Sequence, residues 1–325
     1  MGVDNNAIKA ALRKQKEQAQ AMESQSIPTQ FQHSRNSNTA MPTISSSSTV
    51  FKEMGVILTG THIDEIFIDD AHPNGGIPYC DFLVFGGLPN TGKSYLAALI
   101  AAVGAKQDGK KAMWIATEPS GYRKAPDYLR NKELFDTALA PDLDSMALLI
   151  GSGLDDKVGS KYSVVIIDSV SEVTEDSEYM PEDASKMLAP LKERARQIRI
   201  IKETIRKWIV EGYTGKRGKC VVIMICHMKR ITRPDNARVE EVILPIFGKT
   251  GSLVSGYTFT GALSDMLYYL ASYVFIFTDA TSANLKGEDV GDKTPTIIKV
   301  YPHKSRSCSR FNTKTFRITN GGIVR

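Results

Sequence analysis

The sequence predicts an α/β fold built on a doubly wound, mostly parallel sheet with flanking helices. Apolar runs of strand length alternate with longer helical runs from residue 51 onward. Several strand-length runs are apolar throughout, as expected for strands that are buried on both faces of a parallel sheet. A glycine-rich turn also joins one apolar run to an Ala- and Leu-rich run at residues 81–102, which indicates a strand–loop–helix unit.

The composition is that of an ordinary globular protein. The chain has 325 residues, of which 42% are hydrophobic and 24% are charged, so it can bury a sizeable core in one large or two ordinary domains. The formal net charge of +5 permits a polyanionic partner but does not require one. The sequence shows neither a signal peptide nor a membrane-spanning apolar run. We therefore expect an intracellular, cytoplasmic protein with no membrane partner.

The cysteines predict no metal or disulfide chemistry. The four residues, Cys80, Cys220, Cys226 and Cys308, form no CxxC pair and no cluster with zinc-ligand spacing. Neither a structural zinc site nor a disulfide framework is therefore predicted. This composition fits a reducing compartment.

Residues 1–50 differ in composition from residues 51–325, which form the predicted globular core. The segment 24–49 is rich in Ser, Thr, Asn, Gln and Pro, so it cannot bury enough apolar surface to offset the entropy of ordering, and a flexible arm is expected. A short helix is possible at residues 6–22, where Ile8, Ala11, Leu12 and Ala19 form a thin apolar stripe. This helix is either a docking arm for a neighbouring subunit or a solvated tail.

The elements of the core can be assigned in order. A turn-rich lead-in at residues 56–78 comes first. The strand-like segments that follow are 81–86, 112–116, 162–169, 220–226, 273–277, 295–301 and 316–318, of which the last form a C-terminal antiparallel hairpin. The predicted helices are 95–102, 122–138, 187–208 and 262–270, while 146–150 is a short apolar run and 228–261 is a mixed, glycine-punctuated segment.

Residues 87–94 fit the phosphate-binding pattern G-x-x-x-x-G-K-[ST]. A strand before it and a helix after it direct backbone N–H groups and the positive end of the helix dipole toward one point, which favours phosphate. The pattern predicts Lys93 at the β- and γ-phosphates of ATP and the Ser94 hydroxyl at Mg²⁺. The predicted ATP-binding residues are Gly87, Leu88, Pro89, Asn90, Thr91, Gly92, Lys93, Ser94 and Tyr95. The alternative is a glycine-rich turn that binds nothing.

Three polar residues lie at the ends of predicted strands, where parallel sheets place their ligands. Asp168 is predicted to bind Mg²⁺, directly or through water, although it could instead cap a helix. Glu118 is predicted to orient and deprotonate the attacking water, although it could instead complement a helix dipole. His227 is predicted to sense the γ-phosphate, although it could instead be a partly buried histidine with satisfied hydrogen bonds.

These motifs resemble the RecA/RadA-type recombinase core, and most closely its phage UvsX-like branch. The stretches that carry the resemblance are ILTGTHIDEIF with NGGIP, GLPNTGKS, MWIATEP, VVIIDS and VVIMICH, in that order. Near the C-terminus, GALSDMLYYLASYVFIF and HKSR with FRITNGGI are similar to the family's later elements. The resemblance covers about residues 52–325. It implies a RecA-like P-loop NTPase fold.

The resemblance also implies a DNA-dependent ATPase that assembles with copies of itself. Glu118, Lys93 and His227 would be catalytic, and Lys304 and Arg306 would reach the ATP of a neighbouring subunit. Two loops, at about 175–185 and 229–261, would bind single-stranded DNA, and Met180 in the first would be a wedge between bases. The second would contribute Lys229, Arg230, Arg233, Arg238, Phe247 and Lys249, a mixture of cations and an aromatic ring that suits backbone tracking. The alternative is a solvated surface loop.

Three functions are consistent with these observations. The first is an ATP-dependent recombinase that forms filaments on single-stranded DNA for recombination and repair. The second is a RecA-fold ring motor, such as a helicase or a packaging ATPase. The third is a regulatory protein that binds ATP without hydrolysing it. The basic face of the helix at 187–208 is either solvated or lines the filament groove.

Overall fold

A computed structural model describes residues 54–68, 72–117, 133–171, 188–232, 243–247, 253–259, 269–279, 296–305, 314–319 and 322–324. These residues belong to one compact unit, Ser45–Arg325. The predicted arm at residues 1–50 lies outside the described residues, as does the first predicted DNA loop.

Helices and strands alternate along the described residues. The strands are β1 (Val56–Ile57), β2 (Ile77–Pro78), β3 (Phe82–Gly87), β4 (Lys111–Ala116), β5 (Phe135–Leu139), β6 (Tyr162–Asp168), β7 (Val221–Thr232), β8 (Ile243–Phe247), β9 (Leu253–Phe259), β10 (Tyr273–Asp279), β11 (Thr296–Ser305), β12 (Lys314–Thr319) and β13 (Gly322–Val324). The helices are α1 (Lys93–Asp108), α2 (Leu143–Leu148) and α3 (Leu188–Tyr213). A short 3-10 helix spans Asp64–Phe67, and a π-helical turn, Leu149–Gly153, continues α2.

Most of these strands belong to one large sheet. Its order is β13-β12-β11-β10-β3-β7-β6-β4-β5, and β9 pairs with both β7 and β8. The neighbours from β10 to β5 are all parallel. The pairs from β10 to β13 are antiparallel, as are the pairs made by β9. The predicted α/β class with a mostly parallel central sheet is confirmed.

Helices cover both faces of the parallel strands. Successive side chains of a strand point to opposite faces, so each strand contributes to two apolar layers. One layer packs α1 against residues such as Phe85 and Trp114. The other packs α2 and α3 against residues such as Val84 and Ile115. The predicted helix at 187–208 is confirmed in large part by α3, which packs on the sheet through the buried residues Ile201, Ile205 and Trp208.

The predicted helix at 122–138 is wrong at its C-terminal end. Residues 135–139 form β5, the edge strand that pairs with β4. From Asp136 onward its burial alternates, with Asp136 and Ala138 half-buried and Thr137 and Leu139 exposed, which is the period of a strand with one covered face. Pairing with β4 supplies backbone hydrogen bonds that the local sequence could not reveal.

The segment 228–261, which the sequence showed only as mixed and glycine-punctuated, contains three stretches of β-strand in its described residues. Strand β7 continues through it to Thr232 and pairs with β9, which in turn pairs with β8. We call the end of β7 (residues 228–232) together with β8 and β9 the antiparallel arm. Alternating Ile, Val, Tyr and Phe residues favour this strand structure. The predicted helix at 262–270 lies mostly outside the described residues.

Candidate functional site

The carboxyl ends of β3 and β6 lie on either side of β7, near His227, and these three strands form the candidate site. Strand β7 lies between the other two, and the register pairs Gly87 of β3 with His227 of β7. On the far side, Ile167 of β6 pairs with Met224 of β7, so Asp168 ends its strand at the same edge of the sheet. Residues that are far apart in the sequence therefore meet where parallel sheets bind ligands.

The loop between β3 and α1 is shaped by its own backbone. Asn90 and Gly92 adopt left-handed φ angles of 62° and 80°. The Thr91 hydroxyl donates a hydrogen bond to the Leu88 carbonyl oxygen at 2.8 Å. At Gly87, a Cβ atom would lie 2.5 Å from the Phe277 carbonyl oxygen, so a side chain would push apart β3 and the neighbouring β10. The glycines of the motif are thus required by the turn and by close packing.

Lys93 is the most unusual residue of the loop, because its side chain is only 3% exposed. Its ammonium group donates to the carbonyl oxygens of Gly87 at 3.1 Å and Leu88 at 2.6 Å, and to the Thr91 hydroxyl at 3.4 Å. Burial lowers the pKa of Lys93 to about 8, although the nearby Asp168 carboxylate acts in the opposite direction. Within the described part of the chain, Lys93 forms no ion pair. Neutral oxygens alone therefore bind a buried cation.

The start of α1 adds a second attraction for anions. Gly92 is the N-terminal cap of this helix, and no side chain of the described residues caps it. The first N–H groups of a helix have no partner within the helix and carry a partial positive charge. Ser94, which is half-buried, lies in this first turn.

A pair of residues that the sequence reasoning missed connects the ends of β4 and β6. The Thr117 backbone N–H donates to the Asp168 carbonyl oxygen at 2.9 Å. The Thr117 hydroxyl donates to the Ser169 carbonyl oxygen at 2.7 Å and accepts from the Ser169 N–H at 3.0 Å. The peptide bond between Asp168 and Ser169 is cis. Both residues adjoin predicted site residues, since Thr117 precedes Glu118 and Ser169 follows Asp168, and that adjacency was the available signal.

The middle of β7, around His227, is similarly connected to the segment after β6. The His227 backbone N–H donates to the Ser171 hydroxyl at 2.6 Å, and the same hydroxyl lies 3.3 Å from the Cys226 sulfur. Val170 N–H donates to the Ile225 carbonyl oxygen at 2.9 Å. These bonds fix the position of half-buried His227 beside the start of the loop between β3 and α1.

Lys304 is not brought to this site. It pairs with Val274 of β10, which pairs with Val84 of β3. Val84 precedes Gly87 by three residues, which corresponds to about 10 Å along the strand. Because β11 runs antiparallel to β10, its C-terminal end points away from the loop. Two other predicted site residues, Glu118 and Arg306, lie outside the described residues.

Three of the six predicted DNA contacts belong to the antiparallel arm. Lys229 is exposed and pairs with Thr258 of β9. The backbones of Arg230 and Phe247 lie in β7 and β8 respectively. Arg233, Arg238 and Lys249 lie outside the described residues.

The residues present fit a triphosphate with a divalent cation. A buried ammonium group that contacts only neutral oxygens can accept an anion, and the uncapped helix turn faces the same way. In the described ranges, no group of three or more His, Cys, Asp or Glu residues could hold a metal ion. A magnesium ion that is bound through substrate phosphates needs only one or two protein carboxylates, so Asp168 and the Ser94 hydroxyl suffice.

No described helix is long and apolar enough to cross a membrane.

The comparisons with known proteins add no family assignment. No protein-family model matches the chain, and no curated protein shows significant sequence similarity to it.

Proposed function

We propose that this protein is a P-loop NTPase with a RecA-like core that hydrolyses ATP and acts on DNA as a recombinase. The observation that carries the proposal is the burial of Lys93 at the corner between β3 and α1, with no ion pair to a described residue. Burying an ammonium group without a counter-ion is unfavourable. A phosphate group that lay against it would supply the missing negative charge.

Each residue of the candidate site has a role in the proposed reaction. Lys93 binds the β- and γ-phosphates and stabilises the charge that develops on them during hydrolysis. Ser94 and Asp168 hold Mg²⁺, which when bound neutralises charge on the phosphate oxygens. Glu118 orients the attacking water and accepts its proton. Thr117 and Ser169 keep the ends of β4 and β6 in register, so that Asp168 stays at the edge.

The path of β7 supports a coupling between ATP and DNA. This strand runs without interruption from the parallel sheet, past His227, into the antiparallel arm. Lys229, a proposed phosphate contact, follows His227 by two residues. A shift of His227 toward a bound γ-phosphate would therefore move the start of the arm directly. ATP would favour the DNA-binding arrangement by its different contacts in the two states.

The position of Lys304 supports self-assembly. Its strand end points away from the loop of its own chain. For Lys304 and Arg306 to contact ATP, they must come from a second copy of the protein. The active form is then a filament in which each ATP lies between neighbouring subunits.

The test measures ATP turnover with and without single-stranded DNA. The wild-type protein should hydrolyse ATP faster when DNA is present, and Lys93→Ala should lose about 100-fold or more of that activity. The matched control is Lys106→Ala, which removes an exposed lysine from the opposite end of the same helix. Turnover that ignores DNA, or that survives in Lys93→Ala, would contradict the proposal.

Electron microscopy tests the assembly. The protein with single-stranded DNA and a non-hydrolysable ATP analogue should form filaments. Closed rings that unwind DNA without strand exchange would identify a motor instead. Tight ATP binding with no hydrolysis under any DNA condition would identify a regulatory protein.

A further inference from the structure

One helix, α3, is rich in basic residues. Residues 192–207 of α3 contain seven basic and two acidic residues, a net charge of +5 that equals the formal net charge of the whole chain. This part of α3 is therefore strongly positive. A concentrated charge of one sign attracts a partner of the opposite sign.

The geometry of α3 places part of this charge on one exposed face. Lys192, Arg199, Lys202 and Arg206 are all exposed, and we call them the basic face. Their spacing of seven, three and four residues puts them on one side of a helix. At 1.5 Å per residue, the face is about 21 Å long. The opposite side of the helix is buried against the sheet through Ile201, Ile205 and Trp208.

Most of the basic face is not neutralised. Two basic residues of α3 that lie outside the basic face are already paired: Arg196 with Glu193 at 2.6 Å, and Lys207 with Asp155 at 2.7 Å. Arg199 approaches Glu203 at 3.3 Å, but both side chains are more than 60% exposed, so the pair is weak. Among the described residues, no carboxylate forms an ion pair with Lys192, Lys202 or Arg206.

We propose that the basic face binds the phosphate backbone of double-stranded DNA, at a surface separate from the antiparallel arm. This inference rests on the proposed function as a DNA-acting ATPase. Duplex DNA carries one negative charge for about every 1.7 Å of its axis, so a face about 21 Å long meets many phosphates. Cations on one straight helix can follow that backbone without contact to the bases.

The chemistry of the face favours a duplex over a single strand or a membrane. Single-strand sites interleave cations with aromatic rings on which bases stack. The described side chains of α3 include two aromatic rings, and neither lies on the basic face: Trp208 is buried and donates to Asp155 at 3.1 Å, and Tyr213, at the C-terminal end, is half-buried and packs against the core. A helix that enters a membrane surface needs a free apolar face. In α3 that face is already used in the core, since Ile201 and Ile205 are fully buried.

The test compares two triple variants of the full-length protein by fluorescence anisotropy with a labelled duplex of about 20 base pairs. The first, Arg199→Gln, Lys202→Gln and Arg206→Gln, removes three charges from exposed helical positions, where glutamine is well tolerated. The second, Lys106→Gln, Lys157→Gln and Lys216→Gln, removes the same charge from exposed positions elsewhere. Thermal unfolding checks that both variants fold as the wild type does.

We expect the first variant to bind the duplex at least about tenfold more weakly, and to lower the salt slope of log K by about 2 to 3, since each lost phosphate contact contributes about 0.9. The control should change both quantities much less. A charge-preserving variant, Arg199→Lys with Lys202→Arg and Arg206→Lys, should restore binding. Equal losses in both triple variants, no loss in either, or a wild-type protein that does not bind the duplex would overturn the proposal.

Two further readouts keep this inference separate from the proposed function. Stimulation of ATP turnover by single-stranded DNA should persist in the basic-face variant, because the antiparallel arm is unchanged. If single-stranded DNA fails to stimulate the wild type, the proposed function fails, whatever the duplex affinity. If the variant instead loses binding to anionic lipid vesicles while its duplex affinity is unchanged, the face is a membrane contact and the inference is wrong.

Discussion

The two ends of the parallel strands differ in how they treat charge. At the amino end, Lys111 and Lys161 both pair with Asp136, at 2.8 and 2.5 Å, and the Tyr162 hydroxyl donates to the same carboxylate at 3.0 Å. At the carboxyl end, Lys93 contacts only neutral oxygens among the described residues. The amino end satisfies its charges within the chain, whereas the carboxyl end keeps one that an external anion can satisfy.

From this difference we infer that charge pairs which stabilise the fold lie at one end of the sheet, and that the charge proposed to bind ATP lies at the other. Paired charges at the amino end connect β4, β5 and β6 and contribute to folding. The unpaired ammonium at the carboxyl end costs folding free energy, as buried charges do. Removing a paired charge at the amino end should therefore lower stability with little effect on turnover, whereas removing a charge at the carboxyl end should mainly lower turnover.

The largest expected effect is on turnover. Asp168→Asn should lower ATP turnover by about 100-fold or more, because it removes the charge proposed to hold Mg²⁺. The reciprocal control is Asp136→Asn at the amino end, which should keep turnover near wild type. A steady-state ATPase assay on both variants and the wild type measures the two losses. Equal losses in the two variants would break the distinction between the two ends.

Gly87→Ala tests the close packing beneath the loop. The new Cβ atom would lie 2.5 Å from a backbone oxygen of Phe277, so β3 and β10 must move apart. We expect the free energy of unfolding to fall by about 1–3 kcal/mol, measured by denaturant titration. The control is Gly153→Ala, where the nearest atom would be 3.4 Å away and the change should be small. An unchanged Gly87→Ala protein would show that this corner is loosely packed.

The pH dependence of ATP affinity tests the ammonium group itself. In the free protein, burial lowers the pKa of Lys93 to about 8, and bound phosphate would favour the charged form and raise that pKa. The stabilisation that Lys93 gives to bound ATP is therefore complete below pH 8 and is lost as the pH rises above it. Affinity should fall by about tenfold for each pH unit above 8, measured with a fluorescent ATP analogue.

Lys93→Arg is the control for this slope. The guanidinium group stays charged throughout the range, so the decline above pH 8 should disappear. A wild-type affinity that is flat between pH 7.5 and 9.5 would show that the ammonium does not contact the phosphates.

The smallest expected effect is on stability at the amino end. Partial burial would raise the pKa of Asp136, but hydrogen bonds from Lys111, Lys161 and Tyr162 outweigh it and lower the pKa to about 2. The stabilisation is present above the ordinary carboxyl pKa of about 4 and is lost as the pH falls from there toward 2. Asp136→Asn should lose about 1 kcal/mol at pH 7, because the pairs are partly exposed.

Unfolding of wild type and Asp136→Asn at pH 5 and at pH 2 measures this effect. The gap between the two proteins should narrow at the lower pH. A constant gap would assign the loss to packing and not to charge.

The parts of the fold that could be predicted are those with a local signal. Strands β3, β4 and β6 were placed to within a residue, because each is an apolar run with polar residues at its end. Strand β5 was missed because its backbone hydrogen bonds come from β4, and the antiparallel arm was missed because β7 and β9 pair across residues distant in sequence. Local patterns do not report pairing partners.

For the candidate site, the sequence by itself determined which residues are candidates for the proposed chemistry. It supplied the glycine loop with Lys93 and Ser94, and it placed Asp168 at a strand end, because these signals depend only on neighbouring residues. The prediction that His227 ends a strand was wrong, because β7 continues to Thr232 and pairs with β9 there. Tertiary structure alone decided that β7 lies between β3 and β6 and that Lys93 is buried with no ion pair to a described residue. It also decided that Thr117 binds Ser169 and that Lys304 points away from the loop. The physical reason is that burial, register and strand order arise from contacts between segments that are far apart in the chain, and no single segment contains them.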